Sequence, residues 1–103
     1  MAQYDLYRPP RPTPRGEVLF LLDLQSDLLA YFATRVVAPL MVEGSIERVA
    51  RLHPVFEIDG VRAVMATDRL AAVQRRELGP AVGSLANKHS DIIAAIDVLW
   101  SGI

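Results

Sequence analysis

The chain has 103 residues and a mass of 11.4 kDa, which predicts a single domain over residues 1–103 because one core usually serves about 100–150 residues. With 51% hydrophobic and 22% charged residues, it can bury a core and does not belong to the disordered class. The absence of Cys excludes disulfides and thiolate sites. A net charge of −1 argues against a small module that binds nucleic acid directly.

Targeting and catalytic signals are missing from the sequence. Apolar runs fall far short of the roughly 20 residues that cross a bilayer, and no signal peptide opens the chain, so we expect a cytoplasmic protein without membrane contacts. His53 and His89 lie in different elements, are expected at the surface or half-buried, and have no second ligand at metal spacing. No phosphate loop or nucleophile elbow occurs. We therefore expect no catalytic residues, no metal and no cofactor.

The first third of the chain contains two strand patterns around a proline-rich segment. Residues 4–7 predict a short strand, and residues 8–16 predict a stiff loop because prolines donate no ladder hydrogen bond. Pro9 and Pro12 also stand at the spacing of polyproline ligands, which is the less favoured interpretation of this loop. Residues 18–24 are apolar on both faces, as is typical of a central strand covered on each side.

Turn formers divide the middle of the chain. Residues 25–27 predict a turn in which the Asp27 carboxylate is hydrogen-bonded. Residues 35–42 follow as a strand interrupted by Pro39. Asp59-Gly60 separates the apolar runs 54–58 and 61–65, and this pair predicts a type I′ hairpin. A weaker strand pattern covers residues 70–77.

The hydrophobic period changes near the C-terminus. From about Ser84 onward, apolar residues recur at helical spacing: they are Leu85, Ile92, Ile96, Leu99 and Ile103. Several antiparallel strands followed by one helix predict an α+β domain. Trp100 either packs back on the sheet or serves as a partner anchor, since Trp is enriched in interface hot spots.

Five sequence segments, in this order, resemble the CcdB family of bacterial toxins from about Tyr4 to Ile103. They are LDLQSDLL at 22–29, VAPL at 37–40, HPV at 53–55 with Ile58, MATD at 65–68, and residues 91–103 from Asp-Ile to Gly-Ile. Each segment is short, but their order and spacing together are specific. The resemblance implies an antiparallel, SH3-like or barrel-like sheet with a small second sheet and a C-terminal helix.

The resemblance also implies a mechanism and partners. Members are homodimers that bind the DNA gyrase A subunit and hold the enzyme on cleaved DNA without performing catalysis themselves. A CcdA-like antitoxin, whose disordered segment orders on binding, neutralises them. The resemblance implies that the toxin contacts DNA only indirectly, through gyrase or through the antitoxin complex. The resemblance thus identifies a candidate toxin of a type II toxin–antitoxin module.

Carried over by position, the gyrase-contacting residues fall in two segments. They are Leu28, Leu29, Asp97, Trp100, Ser101, Gly102 and Ile103. Antitoxin contacts are expected on the basic residues of the proline loop, which are Arg8, Arg11 and Arg15.

Two positions depart from the family pattern. Typical members end Phe-Trp-Gly-Ile with the Trp stacked on a gyrase arginine, whereas this chain has Trp100 followed by Ser101. Asp97 replaces the usual Asn. If the helix stays regular, Trp100 points about 100° away from the family direction; if the last turn unwinds, Trp100 can take over the stacking. The alternative is therefore a relative that binds antitoxin but no longer poisons gyrase.

Overall fold

The computed structural model describes residues 2–102 of the chain. Within this range seven strands precede one helix. The strands are β1 (Asp5–Tyr7), β2 (Val18–Asp23), β3 (Thr34–Val42), β4 (Val55–Ile58), β5 (Val61–Met65), β6 (Ala71–Gln74) and β7 (Gly83–Ser84), and the helix is α1 (His89–Ser101).

The strands form a curled antiparallel sheet, a half-barrel in the order β4-β5-β3-β2-β1-β7. Strand β6 leaves this path and pairs with the N-terminal half of β3, where Thr34 faces Gln74 and Val37 faces Ala71. The smaller expected sheet is thus a branch of the same hydrogen-bonded network. The α+β class with a C-terminal helix is confirmed.

Strand β2 lies in the interior of the sheet, as its apolar pattern predicts. It pairs with β1 on one side and with β3 on the other. Phe20 and Leu22 are buried, while Leu19 and Leu21 on the opposite face are half-buried, so both faces are covered. The ladder shifts register between Val18 and Phe20, as a β-bulge does.

Strand β3 runs through Pro39 without interruption, so the predicted break is wrong. The Pro39 carbonyl accepts a hydrogen bond from the Ala66 backbone N–H at 2.9 Å. Because the N and C=O of one strand residue point to the same side, the missing N–H of Pro39 faces the gap between β5 and β6. Pairing with Leu21 of β2 on the other side is preserved, which is why a proline is tolerated in an interior strand.

The hairpin of β4 and β5 is confirmed. Asp59 and Gly60 have φ angles of 51° and 79°, the two positive values that a type I′ turn requires. The predicted strand over residues 70–77 is confirmed only for β6, because Arg75–Glu77 form a 3₁₀ turn that ends it.

Helix α1 begins later than the period predicts. Leu85 is buried like the helical stripe, but its N–H donates to the Tyr4 carbonyl, which holds this residue beside β1. A 3₁₀ turn, Ala86–Lys88, then leads into the helix. The 13 residues of α1 do not suffice to span a membrane, and among residues 2–102 no other helix could.

The core lies inside the half-barrel, with α1 packed against it. Ile92 and Ala95 of the helix are fully buried, and Ile96 is partly buried against the same cluster. The helix face that carries these residues therefore packs against the core. The opposite face and the helix end are left to solvent.

Candidate partner-binding surfaces

The end of helix α1 presents polar and aromatic groups to solvent. The Trp100 side chain is 68% exposed, and Asp97 and Ser101 are exposed as well. Ile93, Asp97 and Trp100 follow one another at spacings of four and three residues, which places them on one face. Trp100 therefore does not pack back on the sheet as an inner stripe residue would.

The helix stays regular to its last residue. Gly102 ends it with φ 72° and ψ 16°, and its N–H donates to the Val98 carbonyl at 2.9 Å. This left-handed cap favours glycine because a Cβ is strained there. Of the two conformations considered for the last turn, the regular one is present, so Trp100 and Ser101 point about 100° apart. Ile103, the remaining candidate, lies outside the described residues.

The second candidate segment is a 3₁₀ turn, Asp27–Leu29. Leu28 is 85% exposed and Leu29 is also exposed. The predicted turn is confirmed, but the side chain that caps it is Ser26, whose Oγ accepts from the Leu28 N–H at 3.2 Å. The Asp27 Oδ1 instead accepts from the Gln3 N–H at 2.8 Å, so it ties the turn to the N-terminus.

A buried glutamine holds this turn against the sheet. The Gln25 side chain donates from Nε2 to the Leu29 carbonyl at 2.9 Å and accepts at Oε1 from the Val36 N–H at 3.0 Å. These two bonds join the exposed turn to β3. The leucines are therefore presented by an ordered segment.

Beneath Gln25 lies an ion pair between Asp23 and Arg35. Arg35 donates to Asp23 Oδ2 from Nη2 at 2.6 Å and from Nε at 2.9 Å, and the Gln25 N–H donates to Oδ1 at 3.0 Å. Burial raises the pKa of Asp23, while Arg35 and the Gln25 N–H oppose this rise by stabilising the carboxylate. The sequence analysis gave these two residues no structural role.

Two aromatic side chains directly follow the exposed turn. Tyr31 is 76% exposed and Phe32 is 41% exposed, and their rings make an edge-to-face contact with centroids 4.9 Å apart. No sequence pattern used above pointed to these two residues. The available signal was a pair of aromatics between turn formers and a strand, where no hydrophobic period requires them.

The proline loop borders an open groove of about 460 Å³. Its lining includes Arg8, Arg11 and Pro12 from the loop and Val18 and Leu19 from β2. The Arg8 guanidinium lies 4.9 Å from the centroid of the Phe20 ring, within cation–π range. The groove thus combines an apolar floor with a basic rim.

The third arginine of the loop does not line this groove. Arg15 is exposed in the 3₁₀ turn Pro14–Gly16, where its φ of 59° is left-handed. Arg8 and Arg11 are therefore brought together by the fold, and Arg15 is not placed with them.

The two histidines have different environments. His53 is buried, so its expected surface or half-buried position is wrong: Nδ1 accepts from the Val49 N–H at 2.8 Å and Nε2 lies 2.7 Å from Asp68 Oδ1. His89 is exposed, and its Nδ1 lies 2.7 Å from the Tyr4 hydroxyl. Among residues 2–102, no three His, Asp or Glu side chains converge as metal ligands.

Comparison with protein families identifies the family of this chain. The model of the family described as CcdB protein matches residues 3–102, which is essentially the whole chain. No curated protein matches this chain. The chain belongs to the CcdB family and is thus a toxin of a toxin–antitoxin module, from a family of proteins that are not catalytic enzymes.

Proposed function

We propose that this toxin acts as a homodimer that binds the DNA gyrase A subunit and traps gyrase on cleaved DNA. Family membership supports this mechanism. The proposed contact residues fall in two segments: Leu28 and Leu29 in the exposed turn, and Asp97, Trp100, Ser101 and Gly102 at the end of α1, followed by Ile103, which lies outside the described residues. Cytoplasmic gyrase is the target, so the toxin acts in the same compartment.

The exposed indole of Trp100 at the end of a regular helix carries the proposal. A large aromatic side chain that is 68% exposed costs solvation free energy in the free protein, and Trp is the residue type most enriched in interface hot spots. The Gly102 cap holds the last turn in place, which lowers the entropy lost on binding. A preorganised terminal anchor is what insertion into a cavity of a large partner requires.

A CcdA-like antitoxin neutralises the toxin by binding the proline-loop groove. Arg8 and Arg11 at its rim attract acidic side chains, and Val18 and Leu19 on its floor accept apolar ones. A disordered segment that carries both kinds of side chain can order itself along such a groove. Arg15 contributes from the adjacent exposed turn.

One observation favours a second candidate function. Ser101 stands where typical members carry the stacking Trp, and the regular helix keeps Trp100 about 100° away from that direction. A relative that binds antitoxin without poisoning gyrase would have this arrangement. The two candidates differ in one measurable property, the trapping of cleaved DNA.

The test is a cleavage assay with the purified full chain, gyrase from the source host, supercoiled plasmid and ATP. The gyrase toxin produces linear plasmid after detergent and protease treatment, and Trp100→Ala reduces it. Val61→Ala, which trims another exposed apolar side chain, is the control and leaves cleavage unchanged. Absence of linear DNA from the folded wild-type toxin overturns the gyrase proposal and favours the second candidate.

The antitoxin proposal is tested separately by affinity for the antitoxin encoded beside the toxin. Replacing both Arg8 and Arg11 by Ala weakens binding, and raising the salt concentration weakens the wild-type complex. Arg76→Ala removes an exposed arginine outside the groove and serves as the control. If the variant lacking Arg8 and Arg11 binds the antitoxin as tightly as Arg76→Ala does, the groove is excluded as the antitoxin site.

A further inference from the structure

The segment that follows Leu28 and Leu29 exposes two large aromatic side chains to solvent. Tyr31 is 76% exposed and Phe32 is 41% exposed, next to Leu28 at 85%. Exposed single apolar residues are common, but a contiguous patch of leucine and aromatic side chains marks an interaction site. The side chains of Leu28, Leu29, Tyr31 and Phe32 are called the aromatic loop patch below.

Four hydrogen bonds to the carbonyl groups of residues 29–33 order the segment that carries the patch. The Phe32 N–H donates to the Leu29 carbonyl at 3.1 Å, and Gln25 binds the same carbonyl from beneath. On the far side, Arg75 donates from Nη1 to the Ala30 carbonyl and from its backbone N–H to the Ala33 carbonyl. The exposure therefore belongs to an ordered surface, since a frayed loop would lack these bonds.

The two rings also orient each other. Their planes are 85° apart at a centroid distance of 4.9 Å, the edge-to-face geometry that aromatic pairs favour. This contact restricts the Tyr31 ring while leaving most of it accessible. Aromatic side chains lose little conformational entropy when they bind, because they have few rotatable bonds.

We infer that Tyr31, supported by Phe32, is an additional anchor for the gyrase A subunit, where its ring receives a basic side chain of the target. This inference rests on the proposed function. The patch includes Leu28 and Leu29, which that function already places against gyrase. The chain has Ser101 in place of the family's stacking ring. An aromatic side chain from this loop therefore adds apolar contact area and a cation–π contact to the same interface.

Two charged side chains of opposite sign border the patch. The Asp27 carboxylate is engaged by the Gln3 N–H, and the Arg75 guanidinium is engaged by the Ala30 carbonyl. These bonds leave both exposed groups charged, so the patch offers rings and leucine side chains beside one negative and one positive group. The basic, groove-shaped surface suited to an acidic antitoxin segment is formed by other residues, chiefly Arg8 and Arg11.

The experiment measures the affinity of the full-length toxin for the purified gyrase A subunit by isothermal titration calorimetry. Tyr31→Ala is expected to weaken binding about 10-fold or more, as loss of an aromatic hot spot does. Tyr31→Phe keeps the ring and stays near wild type. Tyr31→Leu keeps apolar area without the ring and falls between them. Val61→Ala, on a strand that pairs with the other end of β3, is the control.

The outcomes separate this inference from the proposed function. If the wild type binds and Tyr31→Ala binds equally well, the inference is overturned while the gyrase function stands. If the wild type does not bind at all, the proposed function fails first. Sedimentation of the toxin alone and titration with antitoxin complete the test: a change in self-association or antitoxin affinity in Tyr31→Ala, with gyrase affinity unchanged, assigns the patch to that other partner and overturns the inference.

Discussion

Asp23 and Arg35 form an ion pair in which both side chains are completely buried, with Arg35 Nη2 2.6 Å from Asp23 Oδ2. The pair joins β2 to β3 directly beneath the turn that exposes Leu28. Removing the arginine leaves a carboxylate without its counter-charge in the protein interior. We expect Arg35→Met to lower the free energy of unfolding by about 3–5 kcal/mol, measured by urea denaturation.

A second ion pair provides the matched control for that change. Arg62 and Glu43 are equally well aligned, with Nη2 2.9 Å from Oε2, but both side chains are about half exposed. Arg62→Met should therefore lower the free energy of unfolding far less than Arg35→Met does, because solvent screens the exposed pair. Equal losses for the two variants would show that burial does not determine the contribution of Arg35.

The hydrogen bond between His53 and Asp68 makes the stability of the fold depend on pH in the acid range. A backbone N–H can only donate, so His53 Nδ1 accepts from Val49 and Nε2 carries the proton given to Asp68. This bond lowers the pKa of Asp68 from its usual value. The ionised carboxylate therefore stabilises the folded protein above the unfolded pKa of about 3.9, and this contribution is lost as the pH falls through the folded value.

The corresponding variant is Asp68→Asn. Its free energy of unfolding should depend less on pH than that of the wild type below about pH 4, by less than about 1 kcal/mol because the Asp68 side chain is half exposed. Urea denaturation at successive pH values measures the difference. Glu47→Gln, which removes an exposed carboxylate elsewhere, is the charge control. If the free energy of unfolding of Asp68→Asn changes with pH as steeply as that of the wild type, this role of Asp68 is contradicted.

Charges at the two ends of α1 should have opposite effects on stability. Asp91 lies in the first turn, where a negative charge interacts favourably with the helix dipole, whereas Asp97 lies toward the C-terminal end and is unfavourable there. Asp91→Asn should cost about 0.3–1 kcal/mol and Asp97→Asn should gain up to about 0.3 kcal/mol at low salt. Thermal unfolding at low and high salt measures both, and each effect should shrink at high salt.

Local sequence patterns predicted those parts of the fold that depend on neighbouring residues. The Asp59-Gly60 hairpin follows from the backbone freedom of two adjacent residues, and β2 follows from an unbroken apolar run. Position 39 was misjudged because a proline's effect depends on which side of the strand its nitrogen faces, and only the switch of partners from β6 to β5 reveals that. The start of α1 was misplaced because Leu85 is buried by pairing with β1.

The same distinction holds for the candidate surfaces. The helical spacing of Asp97 and Trp100 could be derived from the sequence, and so could the clustering of arginines in the proline loop. The ordering of the turn around Leu28 could not be derived, since it depends on the bond from Gln25 to Val36 of β3 and on Arg75, which lies 45 residues from Ala30 in the chain. Burial of His53 likewise depends on Asp68, fifteen residues away.

The position of Ser101 provides the most direct test of the altered helix end. Because α1 stays regular through Ser101 and Gly102 caps it, an indole introduced there occupies the position that the resemblance assigns to the stacking Trp. Ser101→Trp should therefore tighten binding to the gyrase A subunit by about 2- to 30-fold, as a gained cation–π contact would. Titration calorimetry measures the affinity, and circular dichroism checks that the helix is retained. Ser101→Leu adds apolar area without a ring, so an equal gain in that control, or no gain in Ser101→Trp, would contradict the stacking role of this position.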